Sequence, residues 1–196
     1  VQLVSLIGKA GTGKTFLILL AGLLKMLNER VYQRIMVTRP TISLGPDIGF
    51  LPGDVDEKLD SWMQPVYDNI NMIIAGARAR KLPAFFSIDD LIKNKQLVLQ
   101  AITYMRGRSL PYQFLFVDEA QNLTALEVKT LVTRAGVGTK VILAGDPDQI
   151  DAKTLNYDNN GLMVTTKKFR GDKLFGVVHL HRSERSELAQ RAADLL

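Results

Sequence analysis

The eight residues Gly8-Lys9-Ala10-Gly11-Thr12-Gly13-Lys14-Thr15 constrain this chain more than any other feature. They follow a short apolar run, Leu3–Ile7, and open a helix-length stretch, Thr15–Arg30, so the pattern G-x-x-x-x-G-K-[ST] falls between a strand and a helix. Its glycines let the backbone curl until successive N–H groups converge on one point, and the helix start adds partial positive charge there. Such a cradle takes a phosphate. Within it Lys14 has the reach for β- and γ-phosphate oxygens, and Thr15 offers a hydroxyl to a Mg²⁺ ion. The stretch Gly8 to Thr15 is therefore assigned to a nucleoside triphosphate, with ATP as the expected ligand.

Further β-branched or apolar runs recur at Ile35–Thr38, Phe114–Val117, Val141–Ala144 and Val177–Leu180, and with Leu3–Ile7 they read as buried strands. Helix-length stretches lie between them: Thr15–Arg30, Pro65–Ala77, Thr124–Arg134 and Ser186–Leu196. Thr124 with Glu127, and Ser87 with Asp90, have the spacing of a capping box. Strands alternating with helices imply right-handed βαβ units, and hence an α/β fold with a mostly parallel sheet covered on both faces. One irregular stretch, Arg39 to Asp54, is too long for a plain connection and reads as functional or disordered.

At 196 residues and 46% hydrophobic content the chain can bury one sizeable core, and its length favours one domain over residues 1–196. Without cysteine there is neither a disulfide framework nor a thiolate metal site, which suits a reducing cytoplasm. No run of about 18 apolar residues is present to span a membrane. Because the chain opens at Val1 inside a core strand, the natural protein is expected to continue upstream. The net charge of +5 fits an anionic partner such as a nucleic acid.

The run Phe114-Leu115-Phe116-Val117 ends in Asp118-Glu119-Ala120-Gln121. Acids at the carboxyl end of a buried strand lie beside the phosphate loop in an open α/β sheet. Asp118 then holds Mg²⁺ through water, and Glu119 polarises the attacking water as general base. A kinase acting on a small molecule needs the Asp but not the adjacent Glu, so the pair favours hydrolysis. Farther on, Gly145-Asp146-Pro147-Asp148-Gln149 places Gln149 just beyond another strand, where it can orient water or contact the γ-phosphate.

The order of these motifs resembles the ATPase core of superfamily 1 helicases, and more closely the PhoH family. The resemblance rests on Gly49-Phe50-Leu51-Pro52-Gly53 with Glu57-Lys58-Leu59, on Gln64-Pro65-Val66-Tyr67-Asp68, and on Met105-Arg106-Gly107-Arg108-Ser109-Leu110. His181-Arg182-Ser183-Glu184-Arg185-Ser186 is similar to the ending of PhoH proteins that carry an N-terminal PIN ribonuclease domain. The resemblance implies a RecA-like P-loop core, Mg-dependent ATP hydrolysis, a ring assembly such as a hexamer, and work on RNA. It also implies an upstream PIN domain, and it matches Arg185 to the arginine of the family's C-terminal motif, which acts on a neighbour's nucleotide, with Arg182 as the runner-up. The rival reading is a switch in which ATP only stabilises the assembly.

Arg39 sits where helicase cores place a strand-end nucleic-acid motif, and Arg106 and Arg108 flank a glycine, so all three are candidates for gripping RNA phosphates. Pairing with local carboxylates is the alternative for these arginines. His179 and His181 share one face of a strand and are read as structural, while Trp62 and Tyr67 are read as packing residues.

Overall fold

The computed structural model describes residues 1–40, 55–80, 87–105, 107, 109–184 and 191, with side chains from Met63 onward in the helix that begins at Val55. Six strands form a single sheet: β1 Leu3–Gly8, β2 Arg34–Thr38, β3 Leu97–Leu99, β4 Gln113–Val117, β5 Lys140–Gly145 and β6 Phe175–Leu180. Their order is β3-β2-β4-β5-β1-β6 and every pairing is parallel. The α/β reading therefore holds. The three-residue β3 is too short to show a periodicity in the sequence.

Parallel pairing brings the carboxyl ends of β1, β2, β4 and β5 to one edge. Thr38 faces Val117, Val117 faces Leu143, and Ile7 faces Gly145. The phosphate loop after β1 and the acids after β4 are thus neighbours by register alone.

Among the described residues five helices cover the sheet: α1 Lys14–Leu23, α2 Val55–Ala79, α3 Ile88–Lys93, α4 Ala125–Val132 and α5 Gly161–Lys168. Alternate residues of each strand point to opposite faces, and two apolar clusters follow from that. On one face Leu6, Ile35, Val37, Phe114 and Phe116 meet Leu19 and Leu23 of α1, Val66 and Ile70 of α2 and Leu91 of α3. On the other, Leu3, Ile7, Leu115, Val117 and Leu143 meet Val128 and Leu131 of α4 and Leu162 of α5.

Helix starts follow local chemistry. Both capping boxes form: Thr124 accepts from the Glu127 amide while the Glu127 carboxylate accepts from that of Thr124, and Ser87 and Asp90 do the same. Helix α5 begins where Asn160 Oδ1 accepts from the Met163 amide at 3.0 Å. Helix α1 continues into a π-helical turn, Leu24–Asn28, that completes the stretch expected as one helix.

Two expectations are corrected. Pro65 does not start its helix but lies inside α2, exposed, while its neighbours Met63 and Val66 are buried. Strand β6 is not buried, because among the described residues it pairs only with β1 at the sheet edge and leaves Val177 and Val178 43% and 46% exposed. The stretch Ser186–Leu196 apart from Arg191, and most of the Arg39–Asp54 loop, lie outside the described residues, as do Arg106, Arg108, Arg185 and the side chain of Trp62. Among the described residues no helix is long and apolar enough to cross a membrane.

Candidate active site

The phosphate loop runs from the end of β1 into α1, and Gly13 precedes the helix at φ 80°, a left-handed conformation that costs a side-chain-bearing residue about 1–2 kcal/mol. The Lys14 ammonium folds along the loop and donates to Gly8 O at 2.6 Å and Lys9 O at 3.0 Å. Thr15, one residue into the helix, places Oγ1 3.4 Å from both carboxylate oxygens of Asp118.

Asp118 extends β4 by one residue, its amide donating to Thr38 O at 2.9 Å, and it is 3% exposed. Burial pushes its carboxyl pKa up to about 6; the charge of Glu119 adds to the rise, and Arg39 and Lys14 oppose it. Arg39 lies against both acids, with Nε 3.6 Å from Asp118 Oδ2 and a terminal nitrogen 3.6 Å from Glu119 Oε1. These separations are ion pairs too long for hydrogen bonds. The structure thus brings Arg39 to the acids, the alternative weighed against a phosphate grip.

Glu119 has φ 51° and ψ 39°. A glutamate held left-handed at a strand end is a local strain of the kind found at reactive sites. The turn aims its carboxylate back across the sheet edge, where Gln121 Nε2 donates to Oε2 at 2.7 Å.

Gln121 is the residue that motif spacing left without a role. Buried to 1% exposure, it donates also to Gln149 O at 2.9 Å and accepts from the Asp146 amide at 3.2 Å. Asp146 in turn accepts from the Ala10 amide of the phosphate loop through Oδ2 at 2.8 Å. Loop, β5 end, Gln121 and Glu119 are therefore joined in one hydrogen-bonded chain. Gly145 makes room for it, since a Cβ there would overlap the Gln121 side chain. Gln149 itself is held by its main chain, and its side chain is exposed.

A phosphate cradle, a buried aspartate facing the loop threonine and a second acid beside it make a P-loop nucleotide site. The sequence profile described as PhoH-like protein matches residues 1–196. The chain belongs to the PhoH family. It is 49% identical over 196 residues to protein PhoH2 of Bacillus subtilis, covering all of this chain and 43% of that one. It is 36% identical over 197 residues to protein PhoH2 of Mycolicibacterium smegmatis, covering 100% of this chain and 43% of that one. A PhoH-like protein of Synechocystis is 36% identical over 190 residues, covering 96% of this chain and 54% of the relative. The chain thus spans roughly half or less of these relatives. Among solved structures, the large terminase of a thermophilic bacteriophage superposes with a TM-score of 0.62 at 11% identity, covering 98% of this chain and 44% of that one. At that identity the likeness concerns the P-loop fold alone.

The donor set also fits a divalent cation. Thr15 Oγ1 and the Asp118 carboxylate are hard oxygen donors side by side, and a carboxylate so buried beside a second acid is stabilised by added positive charge.

Proposed function

We propose that this PhoH domain hydrolyses ATP with Mg²⁺, and that in the whole protein this turnover is coupled to RNA. The observation that carries the first part is Glu119, an acid in a strained turn beside buried Asp118, oriented from behind by Gln121. Lys14 and the amides of Gly11 to Thr15 bind the phosphates, and Thr15 and Asp118 hold the cation, which supplies charge neutralisation to the transferring phosphoryl group. Glu119 takes a proton from the attacking water, while Gln149 helps to orient that water. Arg39 offsets the paired negative charge of Asp118 and Glu119.

The RNA part rests on the family resemblance and on the net charge of +5. Arg106 and Arg108 are its foremost contacts, and for Arg39 an RNA phosphate would compete with the two acids. In the whole protein the domain follows an upstream PIN ribonuclease domain, is cytoplasmic, and assembles into a ring, with hexamer as the expected form, in which Arg185 reaches the nucleotide of a neighbour. A switch in which ATP only stabilises the assembly is the second reading. Steady-state phosphate release from ATP, with Mg²⁺ or EDTA and with or without RNA, separates them. The proposal expects metal-dependent turnover that RNA stimulates; turnover indifferent to RNA, with ATP shifting only the oligomeric state, favours the switch.

A further inference from the structure

A cavity of about 710 Å³ opens directly off the phosphate loop. Its floor is the Gly11–Gly13 turn; its walls are Phe16 and Leu17 of α1, Asn69 and Met72 of α2, and the segment His179–Arg182 at the end of β6. The volume lies in the range of sites for small organic ligands. It is larger than the second cavity beside the loop, about 250 Å³ at Gly8 and Lys9, and its size suits the base of a nucleotide held by the loop.

The lining suits a flat aromatic group. Leu17 and Met72 are large apolar side chains left 46% and 64% exposed on the rim, and Phe16 and Leu180 supply further apolar surface. His179 and His181 present parallel rings, tilted by only 13° with centroids 6.1 Å apart. That gap is smaller than the two contact layers of about 3.5 Å each that an inserted ring needs, so a base would stack on an outer face of the pair. The wall is also tied to the loop, because the Glu184 amide donates to Gly11 O at 2.9 Å.

Among the polar side chains of the wall, which also include His179, His181, Arg182 and Glu184, Asn69 has an amide orientation fixed by a hydrogen bond. Asn69 Nδ2 donates to Pro65 O at 2.7 Å, one turn back in α2. Flipping the amide would set two oxygens against each other, so the bond fixes its orientation. Oδ1 is then an acceptor, with one Nδ2 proton beside it. An asparagine in that orientation matches adenine in bidentate fashion, accepting from the exocyclic amine and donating to the ring nitrogen N7. Guanine presents a carbonyl oxygen where adenine has its amine, and Oδ1 would repel it.

We propose that the cavity between α1, α2 and the end of β6 is the nucleobase site, and that Asn69 selects adenine over guanine there. The proposal rests on the reading that the loop holds a nucleoside triphosphate. Calorimetric titration of the full-length protein with the magnesium complexes of ATP, GTP and inorganic triphosphate tests both. Wild-type protein should bind ATP about tenfold or more tighter than either competitor. Asn69→Ala should bring ATP down to the level of GTP and leave triphosphate affinity unchanged, which also reports that the variant is folded. Met72→Ala should weaken ATP and GTP together. An ATP-to-GTP ratio that Asn69→Ala does not alter, or triphosphate binding as tight as ATP, overturns the proposal alone. Failure of all three ligands to bind removes the nucleotide reading and the base site with it.

Discussion

Gln121 donates from Nε2 to Glu119 Oε2 at 2.7 Å, from a side chain that is 1% exposed. Its other bonds go to Gln149 O and the Asp146 amide, so the side-chain amide is held from two sides and holds the acid in turn. A group that orients the base contributes to the rate more than to binding.

Gln121→Ala should therefore lower kcat by about tenfold or more with little change in KM. Steady-state phosphate release over a range of ATP concentrations separates the two parameters. A rise in KM at constant kcat would instead place Gln121 in substrate binding.

Gly145→Ala should reach the same network by steric means. The added Cβ overlaps Gln121 and also approaches Leu162 Cδ2 to 3.0 Å, inside the core that α5 covers. Overfilling of this kind costs about 1–3 kcal/mol. Urea unfolding should show the loss, and turnover should fall with it. A variant of wild-type stability would mean that Gln121 is free to move aside.

Much of this was legible in the sequence because it is local. Gly8–Thr15 and Asp118-Glu119 are contiguous motifs, and the capping boxes at Thr124 and Ser87 need only a spacing of three. Gln121 stands inside a quoted motif, yet its role comes from Gln149, 28 residues away, and from Asp146. No local pattern carries that. The run Val177–Leu180 has the composition of a buried strand, but burial depends on how many neighbours a strand has, and β6 has one. Pro65 is chemically suited to a helix start, and the apolar face on either side of it, Met63 and Val66, carries the helix through instead. Arg39 could serve phosphate or carboxylate equally well from sequence; register settles its neighbours by pairing Thr38 with Val117.

RNA affinity should fall steeply with salt if Arg106 and Arg108 contact phosphates. Each arginine replaced by alanine should lower the log–log slope by about one while ATP binding stays intact. Fluorescence anisotropy with a labelled RNA at several salt concentrations gives the slope. Affinity that does not depend on salt would rule these contacts out.

The ring arrangement is open to a mixing experiment. Lys14→Ala subunits keep Arg185 but lose their own pocket, and Arg185→Ala subunits have the reverse defect. Mixed rings should recover ATPase activity that neither variant has alone, at interfaces where a sound pocket meets a sound arginine. If subunits exchange and no activity returns, Arg185 does not act on a neighbour's nucleotide.

In the proposed mechanism Glu119 takes the proton from water while Lys14 and the loop bind the nucleotide, and the rate of phosphate release by Glu119→Gln is the decisive measurement. The substitution keeps the size of the side chain and removes its basicity. ATP should bind as it does to wild type, in contrast to Lys14→Ala, while phosphate release falls roughly 10²-fold or more. Phosphate release within a few-fold of wild type, from protein that binds ATP normally, would contradict the assignment of Glu119 as the base.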